Sequence, residues 1–133
     1  MNTEDVMQRN IISVEPGALL VEAARKMVDS DLGFLPVIEG DRLVGVLTDR
    51  DIIDRGVAAS CNLSQTVVAD IMSVEIICCY SQQSTEEVQQ LMAEHNVSRL
   101  PVIDEGSGLV GIVSRSAIEG RSAERKKTVS VTF

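Results

Sequence analysis

Leu35-Pro36-Val37-Ile38-Glu39-Gly40-Asp41-Arg42-Leu43-Val44-Gly45-Val46-Leu47-Thr48 reads as two apolar strands folded over a short acidic turn that contains glycine, and the chain writes it twice. The second copy is Leu100-Pro101-Val102-Ile103, an acidic glycine-bearing turn, then Leu109-Val110-Gly111-Ile112-Val113-Ser114. The Leu-Pro-Val-Ile blocks lie 65 positions apart and the Leu-Val-Gly blocks 66, so the later turn carries one extra residue. Val6-Met7 and Ile71-Met72 keep the offset of 65. A stacked solenoid needs roughly three or more units, so a period used only twice indicates two copies of one α/β unit packed together. A site in such a protein belongs in the clefts between the copies.

Outward from these hairpins, each copy has the same further parts. A short amphipathic lead ends in Met (Thr3 to Met7, Val67 to Met72), and a short strand follows (Ile11 to Val14, Ile76 to Cys79). Leu20, Ala23, Ala24, Met27 and Val28 recur at helical spacing and predict a helix near Leu19 to Asp29. In the second copy Ser84 before Thr85-Glu86-Glu87 is an N-cap with acidic residues in the first turn, and Val88, Leu91 and Met92 carry the stripe to about Asn96. The hairpin strands are apolar on both faces, which predicts that both are covered. Further helices start at Asp49 and at Arg115. The fold class is therefore α/β (α+β), two β-α-β-β-α repeats packed with pseudo-two-fold symmetry. Residues 1–58 form the first repeat with its lead, 59–66 a linker, 67–120 the second repeat, and 121–133 a basic tail. Val129, Val131 and Phe133 alternate with polar residues, an edge-strand pattern for which a frayed terminus is the other reading.

Composition narrows the function. A half of this 133-residue chain would bury too little apolar surface alone, so the halves should depend on each other. Hydrophobic residues make up 44% but aromatics only 2%, which builds the core from Val, Ile, Leu, Met and Ala and leaves little to stack nucleic-acid bases. A net charge of −8 opposes a phosphate-backbone partner. The charge is uneven: Met1 to Ser114 holds 7 basic and 18 acidic side chains, and Arg115 onward 5 basic and 2 acidic. The basic tail reads as solvated, or as docking onto an acidic protein partner. No apolar run is long enough for a bilayer, and no leader pattern opens the chain. Cys61, Cys78 and Cys79 lack metal spacing, at least one behaves as a small buried hydrophobe, and a reducing cytoplasm is the expected setting.

The chemistry concentrates where the third strand meets the second helix, at Gly45-Val46-Leu47-Thr48-Asp49-Arg50-Asp51. Gly45 lets another backbone approach closely. Thr48 can cap the helix or face a ligand, and the Asp51 carboxylate can accept two hydrogen bonds at once, as a ribose diol offers. Free N–H groups at the helix start, with Arg50 beside them, favour a phosphate. Thr48-x-x-Asp51 is also close to a capping box, and on residue types alone both readings stand. In the second copy the hydroxyl survives as Ser114 while the carboxylate is replaced by Ala117, which suggests one good cleft and one degraded cleft. Arg99 enters a strand where its counterpart is Phe34; a phosphate, or a carboxylate such as Asp104 or Glu105, would partner it. His95 has no second metal ligand or nucleophile in pattern around it and reads as a solvent-facing helix terminus.

Taken together, the duplicated set resembles a tandem pair of cystathionine-β-synthase-type (CBS) domains, a Bateman module, over about Thr3 to Glu119. The resemblance implies a non-enzymatic regulatory module with no catalytic residues, no metal and no required cofactor. Its ligand would be adenosine-containing (AMP, ADP, ATP or S-adenosylmethionine), bound in a cleft between repeats. Members often pair into disc-shaped homodimers, which would carry the signal to a dimer or partner surface. The family's ribose signature is met by Gly45, Thr48 and Asp51; Gly111 and Ser114 meet it in the second copy, where Ala117 departs. The family's phosphate-facing position falls on Arg99, with Arg50 nearby, and the base would lie among Ile12, Val14, Pro36 and Pro101. A ligand-free scaffold using the same fold for dimerisation is the alternative. A hydrolase or transferase finds no nucleophile–base pair or phosphate-cradling Gly-rich loop to support it.

Overall fold

The structure, a computed structural model, describes residues 1–122, with the side chains of the last two left aside; the tail's edge-strand pattern lies outside the described residues. In the first copy, helix α1 (Leu20–Ser30) leads to strands β1 (Phe34–Glu39) and β2 (Arg42–Thr48). Helix α2 follows as one α-helical turn (Asp49–Asp51) that widens into a π-helical stretch (Ile52–Val57). In the second copy, β3 (Cys79–Tyr80), α3 (Thr85–His95), β4 (Arg99–Asp104), β5 (Gly108–Ser114) and α4 (Arg115–Ser122) repeat the order. The fold is thus mixed helix and sheet in two repeats.

Local chemistry places the helices. Glu22 Oε1 accepts the Leu19 N–H at 3.0 Å to start α1, and Ser84 Oγ accepts the Glu87 N–H at 3.2 Å to start α3. Asp31 and Asn96 then end these helices in the left-handed conformation, at φ 55° and 54°, a backbone that Asp and Asn tolerate better than most residues. His95 is exposed in the last turn of α3. The hairpins pair antiparallel with the same bulge, between Val37 and Ile38 and between Val102 and Ile103.

One pair of expected strands is shorter than the apolar runs suggest. Ile76 to Cys79 becomes β3 at Cys79–Tyr80, parallel to β4, and Ile11 to Val14 contributes only a bridge from Val14 to Val37. Pro16 explains the difference between copies. Its counterpart Ser81 donates its N–H to Ile103 O at 3.3 Å, a bond that a residue without an N–H cannot make.

The leads cross over. Thr3 donates its N–H to Gln83 O and Glu4 to Ser81 O, both at 2.9 Å, so the first lead sits on the second copy. Val68 donates to Ala18 O and Leu20 to Thr66 O, both at 2.8 Å, so the second lead sits on the first copy. The cores follow this exchange. Val68 and Ile71 complete the core of Leu20, Met27, Leu35, Val37 and Leu47, while Val6 and Met7 pack on that of Val88, Met92, Leu100, Val102 and Val113. Cys79 belongs to the second core, and burial pushes its thiol up to about 12, with neighbouring Cys78 adding to the rise.

Gly45 and Gly111 make the crossings. Gln8 and Ile112 exchange backbone hydrogen bonds, as do Ser73 and Val46 at the equivalent place. A Cβ on Gly45 would lie 2.7 Å from Met72 Sδ and 2.9 Å from Ser73 O; on Gly111 it would lie 2.7 Å from Met7 Sδ and 2.9 Å from Gln8 O. The methionine could bend away, but the carbonyl belongs to a paired backbone. Gly45→Ala and Gly111→Ala should each lower unfolding free energy by about 1–3 kcal/mol in urea titrations, because the extra methyl overpacks a backbone contact. Alanine at a site such as Gly17, where nothing lies within 4 Å, should leave it nearly unchanged.

Candidate functional site

Because the leads cross, each crevice is built from both copies. The larger has a volume of about 620 Å³ and takes Thr48, Asp49, Arg50 and Asp51 from the β2–α2 junction of the first copy. The crossing segment adds Ser73, Glu75 and Ile77, and the second copy closes the wall with Arg99 and Pro101. The equivalent crevice on the other side is about 80 Å³, lined by Ile12, Pro36, Ser114 and Ala117. Pockets for drug-sized molecules run from roughly 300 to 1,000 Å³, so the first crevice has room for one and the second does not. Phe34 and Arg99 line both.

At the floor of the larger cleft, Thr48 and Asp51 form a reciprocal cap. Thr48 Oγ1 accepts the Asp51 N–H at 3.1 Å, and Asp51 Oδ2 accepts the Thr48 N–H at 2.9 Å. Asp51 Oδ1 accepts a hydrogen bond from Arg55 Nη2 at 2.7 Å, and the same nitrogen donates to Ser73 Oγ at 3.0 Å. The Asp51 side chain, 17% exposed, is thus held in plane from two sides while still lining the cavity. A carboxylate has about four lone-pair sites, so one remains on each oxygen for an incoming donor. The capping and ligand-facing readings of Asp51 are compatible.

Sequence reasoning passed over Arg55, although its i,i+4 spacing from Asp51 is the signal that identifies it. In the second copy Ser114 Oγ keeps the cap by accepting the Ala117 N–H at 3.1 Å, and Ala117 stands where the first copy has Asp51.

The two arginines differ. Arg50 lines the cleft, yet its guanidinium is exposed and its Nε donates to Asp54 Oδ2 at 2.8 Å. That hydrogen bond, and then the charge of Asp54, hold its proton more firmly than usual. Arg99 is half-buried, and its guanidinium makes no hydrogen bond or ion pair among the described residues. Asp104, one of the partners expected for it, bonds Ser81 Oγ instead.

The residues expected around the base divide between the two crevices. Pro101 lines the larger cleft, but Ile12 and Pro36 line the smaller one with Ser114. Val14 lines neither: it is buried in the first core, its N–H donating to Pro36 O at 3.1 Å. The crossing is the cause, since it sets each β–α junction opposite the short strand of the other copy. Ile77, counterpart of Ile12, faces Thr48 and Asp51, and it was missed because the repeat offset says nothing about which copy packs on which. Among the described residues, no three His, Cys, Asp or Glu side chains are grouped to hold a metal ion.

Comparison with known proteins agrees with this architecture. The CBS domain family model matches residues 4–57 and again 68–122. CBS domain-containing protein YhcV of Bacillus subtilis is 39% identical over 113 residues, covering 85% of this chain and 79% of that protein. Hypoxic response protein 1 of Mycobacterium tuberculosis is 36% identical over 115 residues, 86% of this chain and 80% of its own. A crystal structure of Hypoxic Response Protein I with two coordinated zinc ions superposes with a TM-score of 0.80 at 35% identity, covering 89% and 96%. The CBS domain pair of protein MJ0100, solved with 5'-methylthioadenosine and S-adenosyl-L-methionine, shares the fold at a TM-score of 0.81 and 24% identity, covering 92% and 95%. With two matches that together span most of its length, the chain belongs to the CBS domain family and carries two CBS domains.

Proposed function

We propose that this protein is a non-enzymatic regulatory module that holds one adenosine-containing ligand in the larger cleft. The observation that carries the reading is the cleft's own combination: an oriented carboxylate at Asp51 and an unpaired guanidinium at Arg99 on the walls of one cavity of about 620 Å³. A ribose diol donates two hydrogen bonds into the two free lone-pair sites of Asp51, and the Thr48 hydroxyl offers a further oxygen. The adenine lies between Ile77 and Pro101, a slot suited to a flat apolar face. The phosphate turns to Arg99, with Arg50 at the outer rim. The structural relative MJ0100 was solved with adenosine compounds, which supports the ligand class through the shared fold.

Signalling follows from where Asp51 sits. The next turns of its helix carry Ile53 and Val57 outward, 56% and 57% exposed. A ligand on Asp51 therefore acts on an element whose other face is apolar and exposed, suited to a second copy of the chain or a protein partner. Cytoplasmic residence is part of the reading, supported by three free cysteines; among the described residues no helix is long and apolar enough to cross a membrane.

A ligand-free scaffold is the second reading, favoured by the cap and the Arg55 contact, which together give Asp51 a folding role. Calorimetry with AMP separates the two. The sensing reading expects one ligand per chain, and Asp51→Ala should weaken binding by about ten- to a hundredfold because ribose donors lose a charged acceptor. Urea unfolding of that variant should fall by only about 1 kcal/mol, the usual worth of a cap, so lost binding would not be lost folding. Equal binding by Asp51→Ala and wild type removes the site assignment. In sedimentation experiments the wild type should be a homodimer, and Ile53→Glu with Val57→Glu should shift it to monomer.

A further inference from the structure

Resting on the ligand reading above, we propose that the larger cleft selects its ligand by charge: it takes an adenosine compound with a single phosphate and disfavours the triphosphate unless a divalent cation comes with it, Glu75 being the residue that sets this preference. Three carboxylates, Asp49, Asp51 and Glu75, and two guanidiniums, Arg50 and Arg99, line the cavity. Pairing cancels some of this charge. Arg55 neutralises Asp51, and Asp54 neutralises Arg50.

What is left is lopsided. Asp49 Oδ1 accepts only the backbone N–H of Arg50, at 2.8 Å, so its charge stands. Gly33 leaves room for that carboxylate, since a Cβ there would lie 2.5 Å from Asp49 Oδ2. Glu75 is exposed on the crossing segment and, among the described residues, makes no hydrogen bond or ion pair. Among the described residues, the uncompensated charges on the lining are therefore two carboxylates and one guanidinium, that of Arg99.

A monophosphate brings about two negative charges, which one arginine and the surrounding hydroxyls of Ser73 and Ser98 can receive. Each further phosphate adds another charge to a cavity that, among the described residues, holds no second free cation and whose lining already carries Asp49 and Glu75. Like charges a few ångströms apart in a solvent-open cleft cost a several-fold factor in affinity per charge. A divalent cation reverses the sign of the encounter, because the same carboxylates then attract the metal-bound phosphates.

The test is calorimetry on the full chain with AMP, ADP and ATP in EDTA at low salt, then ATP with magnesium, on wild type, Glu75→Gln and Asp51→Ala. The proposal expects affinity to fall from AMP through ADP to ATP, with ATP about tenfold weaker than AMP or more, and magnesium to recover ATP. Glu75→Gln should narrow the gap by about threefold or more, and raised salt should narrow it too. ATP binding as tightly as AMP without metal, or an unchanged ratio in Glu75→Gln, overturns charge selection while Asp51-dependent AMP binding keeps the ligand reading. AMP binding that is absent, or indifferent to Asp51→Ala, overturns both.

Discussion

Two glycines carry the architecture. At Gly45 and Gly111 the absence of a side chain lets the lead of one copy lie backbone-to-backbone on the hairpin of the other, with Met72 and Met7 folded into the space a Cβ would take. Each lead then fills the core of the opposite copy, so neither half has a complete interior of its own. The same crossing builds the clefts. It carries Ser73, Glu75 and Ile77 over the β2–α2 junction, where Thr48 and Asp51 wait, and it carries Gln8 and Ile12 over the corresponding junction at Ser114 and Ala117.

Symmetry of the backbone makes the inequality of the side chains informative. Both junctions are capped by a hydroxyl, at Thr48 and at Ser114, so the helix start does not require the acid. Asp51 is present only where the cavity is large, and Arg99 stands where the other copy places Phe34. Phe34 is buried, and like Arg99 it borders both crevices. By repeat position, Phe34 stands in the first copy where the second has Arg99, and Ala117 stands in the second copy where the first has Asp51. Among the described residues, only the larger cleft has both the Asp51 carboxylate and the Arg99 guanidinium on its lining.

Much of this was legible in the residues. The repeat offset located both hairpins, and the second long helix ends at Asn96 as expected, while the first runs past the expected Asp29 to Ser30 before Asp31 turns left-handed. Gly45 was readable as a close approach. The short strand at Ile11 to Val14 was not, because periodicity registers apolar faces and not the missing N–H of Pro16. The division of the expected base-cage residues between the two crevices was hidden for a different reason. Ile12 and Ile77 are equivalent by sequence, and only the exchange of leads, a tertiary choice, assigns Ile77 to the Asp51 side. The Arg55 contact is signalled by its i,i+4 spacing from Asp51, a spacing shared by the Arg50–Asp54 pair one residue away on the same helix; its reach to Ser73 depends on the crossing.

The central claim is that Asp51 serves helix and ligand together, with its remaining lone pairs aimed into the larger cleft. A crystal structure of the protein with AMP tests it most directly. The account predicts one nucleotide per chain, its ribose hydroxyls on Asp51, its phosphate at Arg99 and the Ala117 crevice empty. A nucleotide seated at Ala117, or one in the larger cleft whose ribose leaves Asp51 bonded only to Thr48 and Arg55, would contradict it.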